Sequence, residues 1–192
     1  MNQKTAMKLF GLLGLLMLLS CGYADRHRNS SSCEQALVDS LEVRVQDSLF
    51  SNVHYSRSQL LEALTQTQDS LVYYRLLALY GKTFFVSSDF DSILYYNRRV
   101  KEFSRNASQS SESLQSPRWN DVLSDVYNIE GNVWMQLNRP DSAIIDYKKA
   151  YGYRLEGKKL HLLPDICINI ADAYLHRSDL AHTASYYRRA LF

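Results

Sequence analysis

Apolar positions in this 192-residue chain fall into a pattern that occurs three times. Gly81, Phe84, Ile93, Asn97 and Val100 recur 50 residues later as Gly131, Trp134, Ala143, Tyr147 and Ala150, and 40 residues later again as Ala171, Tyr174, Thr183, Tyr187 and Ala190. Polar positions follow the same offset, for Asp91-Ser92 and Arg98-Arg99 return as Asp141-Ser142 and Lys148-Lys149. Each copy predicts a pair of helices. A small residue three positions before an aromatic gives the first helix a thin spot and a bulky anchor on one face. Ala143, Tyr147 and Ala150, spaced four and three apart, form the buried stripe of a second helix. Between the two lie turn formers, Ser87-Ser88-Asp89 in the first copy and Asn138-Arg139-Pro140-Asp141 in the second, with Asp141 expected to cap the second helix. Self-similarity at fixed internal spacing is the sequence signature of a repeat architecture.

These spacings resemble the tetratricopeptide repeat. The resemblance covers roughly residues 74–107, 124–157 and 164–192, taking the family's unit of about 34 residues. It departs from the family at Asn97, where an aromatic is expected, and at Leu155, where a terminal proline is expected. The fold it implies is all-α, with antiparallel helical hairpins stacked as a right-handed α-solenoid. The serine-rich stretch assigned to 108–120, which holds Pro117, reads as a flexible loop and accounts for the longer offset. The shorter excess, through Leu155-Glu156-Gly157-Lys158-Lys159, reads as an extension of two helices, with Pro164 in the first turn of the next.

The N-terminus points to export. Lys4 and Lys8 precede an apolar run from Leu9 to Leu19, which suits a signal peptide over 1–20 but spans only about half a bilayer. It ends in Leu18-Leu19-Ser20-Cys21-Gly22, which resembles the bacterial lipobox. The resemblance implies that Cys21 is lipidated and that the protein is tethered to a membrane on the periplasmic or cell-surface side; the alternative is a plain cleaved signal with Cys21 incidental. Residues 21–33 would then be a flexible tether. Over 34–73, Leu37, Leu41 and Val45, then Leu60, Leu61 and Leu64, suggest two helices of a degenerate unit, with Asp69-Ser70-Leu71 starting the next.

Composition adds exclusions. Hydrophobic residues make up 46% and charged residues 22%, a globular balance that leaves one helical domain after processing. Removing Lys4 and Lys8 with the leader takes the formal charge from +2 to zero, so nucleic acid has no electrostatic support as a partner. The basic pairs Arg98-Arg99, Lys148-Lys149 and Arg188-Arg189 read as a solvated outer face. Cys33 and Cys167 lie far apart with no metal-type spacing, and Cys167, among Ile166, Ile168 and Ile170, reads as a buried thiol. His27, His54, His161, His176 and His182 form no ligand pair at helical spacing. Without a glycine-rich phosphate loop or a nucleophile elbow, the sequence predicts no enzyme, no cofactor and no metal. Most of the 14 tyrosines are assigned to interhelix packing.

Opposite the Trp134 and Tyr174 face runs a polar stripe. Asp125, Asn128, Asn132 and Gln136 share one side of a helix, and Asp165, Asp172 and His176 repeat Asp125, Asn132 and Gln136 at the offset of 40. The tetratricopeptide resemblance implies that first helices line a concave groove for a protein or peptide segment, which makes these seven residues the candidate groove; a solvated helix face is the plainer reading. The first copy presents Lys82, Phe85 and Val86 instead, so clamps for a basic peptide and for an acidic terminus are not separable by sequence. The expected function is a non-catalytic exported scaffold. The alternative is the periplasmic sensory region of a longer membrane-bound signalling protein with a diguanylate cyclase or transcription-regulator output, since the arrangement also resembles exported repeat regions of Bacteroidetes-type sensors. The chain stops inside a second helix, at Arg188-Arg189-Ala190-Leu191-Phe192, which suggests a truncated last unit or an end that dimerises.

Overall fold

The computed structural model describes residues 36–45, 52–107 and 116–191. The signal peptide, Cys21, the tether, Cys33 and most of the serine-rich loop lie outside them. Among the described residues the chain is helical throughout, with no strand. The helices are α1 (36–45), α2 (Val53–Gln66), α3 (Ser70–Lys82), α4 (Phe90–Ala107), α5 (Pro117–Gln136), α6 (Pro140–Leu155), α7 (Leu163–His176) and α8 (Leu180–Ala190), with short 3-10 turns at Thr83–Ser87 and Leu160–Leu162. None of them is long and apolar enough to cross a membrane.

The threefold pattern reappears in backbone geometry. The turns after the first helix of each copy pass through Ser88, Asn138 and Ser178, whose φ values of 54°, 56° and 60° lie in the left-handed region. In each turn the next amide reaches back five residues: Asp89 N–H donates to the Phe84 carbonyl (3.2 Å), Arg139 to Trp134 (2.8 Å) and Asp179 to Tyr174 (3.0 Å). This bond satisfies a carbonyl that the helix end would otherwise orphan. Asp89 and Asp179 then cap the second helices, accepting from the amides of Ser92 and His182, each at 3.1 Å. The middle copy differs from expectation. Arg139 occupies the capping position without a side-chain bond, Pro140 opens α6, and Asp141 sits inside the first turn, paired with Arg177 at 2.8 Å. Proline's fixed φ starts the helix there without a cap, and the Asp141 charge still favours the helix N-terminus.

The small residue of each copy marks where the two helices of a hairpin approach closely. At Gly131 a Cβ would lie 2.3 Å from the Tyr147 ring, and at Gly81 it would lie 2.9 Å from Cβ of Tyr96. Ala171 is fully buried. Around these contacts the core forms in sections. Ala143, Ile144, Tyr147 and Ala150 of α6 pack on Ile166, Ile170, Ala173 and Tyr174 of α7. Leu77, Val100, Trp119, Val122 and Val126 join α3, α4 and α5. Val38, Leu41 and Val45 of α1 pack on Leu60, Ala63, Val72 and Leu76, so the N-terminal helices belong to the same folded body. Besides these sequence neighbours, α3 touches α5 and α5 touches α7.

Polar ties cross the same seams. Asn97 Nδ2 donates to the Val126 carbonyl (3.1 Å), Ser124 Oγ to the Ala150 carbonyl (2.8 Å) and Trp119 Nε1 to Ser104 Oγ (3.0 Å). Lys101 Nζ holds Glu130 at 2.6 Å. Burial still pushes the Glu130 carboxyl above its ordinary value against the pull of that lysine, because a desolvated carboxylate is costly even when paired.

Two segment boundaries depart from the sequence reading. The serine-rich loop ends early: Ser116 caps α5 by accepting from the Trp119 amide (3.2 Å), and Pro117 is the first helical residue. The second concerns residues 155–159, which do not lengthen two helices. α6 stops at Leu155 and the chain turns through Glu156 to Lys159 into the 3-10 turn, because its amides are claimed by a carboxylate on α5, described next.

Candidate functional site

A cavity of about 440 Å³ lies between α1, α3, α5 and the 158–162 segment. Its floor is apolar, made by Ala78 and Leu79 of α3 and Val122, Val126 and Ile129 of α5. The helical period accounts for this: residues four and seven apart on α5 present one face. A size of this order is usual for ligand sites, but nine of the 18 lining residues are charged, more than such sites ordinarily hold.

One wall is an ion-pair cluster built around Arg154. This guanidinium, 1% exposed at the end of α6, donates Nη1 to Asp121 Oδ1 at 2.9 Å and Nη2 to Asp125 Oδ1. Asp121, 4% exposed, also accepts the backbone amides of Lys158 (3.0 Å) and Lys159 (3.1 Å). A buried carboxylate with this many donors is a fixed structural charge. The chain must pass very close to it, and Gly157 permits that: a Cβ there would lie 2.2 Å from Asp121 Oδ1. The turn at 156–159 is therefore fastened to α5.

The opposite wall is α1. Asp39 pairs with Arg75 of α3 (2.8 Å) and Arg118 of α5 (3.6 Å), while Glu42 reaches Arg75 (3.8 Å) and Lys159. Partial burial raises the Asp39 carboxyl, but the hydrogen bond and charge of Arg75, helped by Arg118 and Lys159, outweigh it and hold the group below its ordinary value. At the remaining edge stand Lys82 and Lys158, which also line the cavity.

Of the residues expected to form a groove, Asp125 alone lines this cavity. Asn128 accepts from Asn169 Nδ2 at 3.0 Å, linking α5 to α7. Asn132 accepts from the Tyr147 hydroxyl at 2.7 Å, and Asp172 accepts from the Tyr187 hydroxyl in the same way. These two bonds tie first helix to second within a hairpin. Gln136, Asp165 and His176 are exposed away from the cavity. The stripe thus divides into one cavity residue, three interhelix ties and three solvated positions. Sequence reasoning missed Asp39, Glu42, Arg75, Arg118, Asp121, Arg154 and Lys159. One signal was available for the ties: Asn132 with Tyr147 and Asp172 with Tyr187 share a spacing of 15.

Cys167 is 2% exposed, as its isoleucine neighbours predicted, and burial pushes its thiol above the ordinary value. The basic pairs on α4, α6 and α8 lie toward solvent, with Lys148 over the Tyr174 ring and Lys149 and Lys101 over Tyr127. Burial pushes the Tyr127 hydroxyl up to about 12, leaving it a neutral phenol under physiological conditions. Among the described residues no group of three His, Cys, Asp or Glu side chains is arranged to hold a metal ion. No family model matches this sequence, and no curated protein matches it either.

Proposed function

We propose that this protein is a non-catalytic, exported scaffold of the tetratricopeptide type, whose helical hairpins stack as a right-handed α-solenoid and hold a segment of a partner protein in the cavity between α1, α3 and α5. The observation that carries this reading is the cavity itself: first helices of successive hairpins supply its apolar floor, and charged side chains surround it. The repeated left-handed turns at Ser88, Asn138 and Ser178 support the hairpin assignment. The helix-lined concavity suits peptide recognition, in which apolar anchors enter a groove and charges set orientation. Peptides selected from a random library against the full chain test it. Leu79→Trp, which fills the floor, is expected to weaken them at least tenfold, whereas Tyr95→Ala, on the exposed side of α4, leaves them unchanged. Equal binding to both variants would place recognition elsewhere.

The lipobox-like Leu18-Leu19-Ser20-Cys21-Gly22 supports tethering through a lipid on Cys21, with acyl chains supplying the membrane affinity. In cells making the full chain, Cys21→Ser is expected to move the protein from the detergent phase to the aqueous phase. An unchanged partition removes the lipid anchor from the proposal.

A further inference from the structure

The charges around the cavity are not equally available, and this separates two kinds of peptide that the sequence could not. All four carboxylates that line it are already engaged. Asp39 and Glu42 hold Arg75, Arg118 and Lys159, while Asp121 and Asp125 are held by Arg154 and, for Asp121, by two backbone amides. Lys82 and Lys158 line the same space, and neither makes an ion pair among the described residues. Counting Arg154 behind the wall, six Lys and Arg cations face four carboxylates.

From this we infer that the cavity selects an acidic, aliphatic peptide segment, in which Leu or Val side chains enter the floor and Asp or Glu side chains meet Lys82 and Lys158. A basic segment would find only carboxylates that already have partners. To use the buried Asp121 it would have to displace Arg154, which would lose a counter-charge, and at Asp125 it would share a carboxylate that Arg154 already neutralises. An acidic segment displaces nothing. The wall already accommodates such chemistry, since α1 presents Val38 and Val43 together with Asp39 and Glu42 to the same cavity. The inference rests on the peptide-groove reading above and specifies the partner's chemistry.

Three fluorescein-labelled peptides of equal length test it by anisotropy with the full chain: one alternates Leu and Val with Asp and Glu, one has Asn and Gln at the polar positions, and one has Lys. The acidic peptide is expected to bind at least tenfold tighter than the lysine peptide, with the neutral one between them and the advantage shrinking as salt is added. Lys82→Glu should lower the acidic peptide's affinity about tenfold and raise that of the lysine peptide, with Lys82→Gln intermediate. Circular dichroism of both variants confirms that the fold is kept. If the lysine peptide binds as tightly as the acidic one, charge selection is wrong while the groove stands. If no peptide binds, both readings fall, and dodecanoate binding to the same protein would then assign the cavity to a small amphiphile.

Discussion

Replacing Arg154 by alanine is expected to cost about 3–5 kcal/mol of stability, the usual consequence of removing one partner from a buried charge cluster. Its guanidinium is 1% exposed and serves Asp121 and Asp125 together. Without it, Asp121 keeps only the amides of Lys158 and Lys159 against its desolvation. Arg154→Lys should recover part of the loss and not all, because an ammonium is a point charge and cannot reproduce a fork spanning two carboxylates. Urea denaturation of the full chain measures both. A loss below about 1 kcal/mol for the alanine variant would mean that solvent reaches the cluster and that it does not fasten α6 to α5. The same substitution should weaken an acidic ligand, since it turns Asp125 from a neutralised group into a free negative charge at the cavity wall.

Trp119→Ala is expected to cost a similar amount, about 3–5 kcal/mol, and substantially more than Trp134→Ala. Trp119 is 2% exposed, meets Phe103 edge-on at 5.7 Å, and donates its indole N–H to Ser104, whose hydroxyl is also buried. Trp134 is half-buried, has Arg139 over its ring at 5.8 Å, and donates to Asp146 at 2.8 Å. Comparing the urea midpoints of the two variants is the check. Equal losses would show that the seam between α4 and α5 is no more critical than the tip of the second hairpin.

That contrast shows how far sequence reasoning reached. The repeat pattern singled out Trp134 because its aromatic recurs at Phe84 and Tyr174, whereas Trp119 fell inside the presumed serine-rich loop, with no counterpart at either offset. Hairpins and turns were legible since their determinants are local: a small residue, an aromatic three later, and polar residues at the turn. The cavity was not legible, because its charges meet across the fold. Arg154 and Asp121 are 33 residues apart and Lys159 and Glu42 are 117 apart, distances at which spacing carries no information. The polar stripe offers a candidate groove beside the plainer solvated face for a related reason. Periodicity assigns Asn128, Asn132 and Asp172 to one face of a helix but does not say that a neighbouring helix supplies Asn169, Tyr147 and Tyr187 to that face.

The bond between Glu42 and Lys159 has a bearing on how this protein comes apart. In an open stack of hairpins each unit leans only on its neighbours, so the ends fray while the middle survives. Here α1 grips the turn before the last hairpin as well as α3 and α5. Peeling away the first helix therefore removes one tie on the turn whose two amides stay bonded to Asp121. Early and late segments are thereby coupled by a direct tie across the fold, which a row of links joined only to their neighbours lacks.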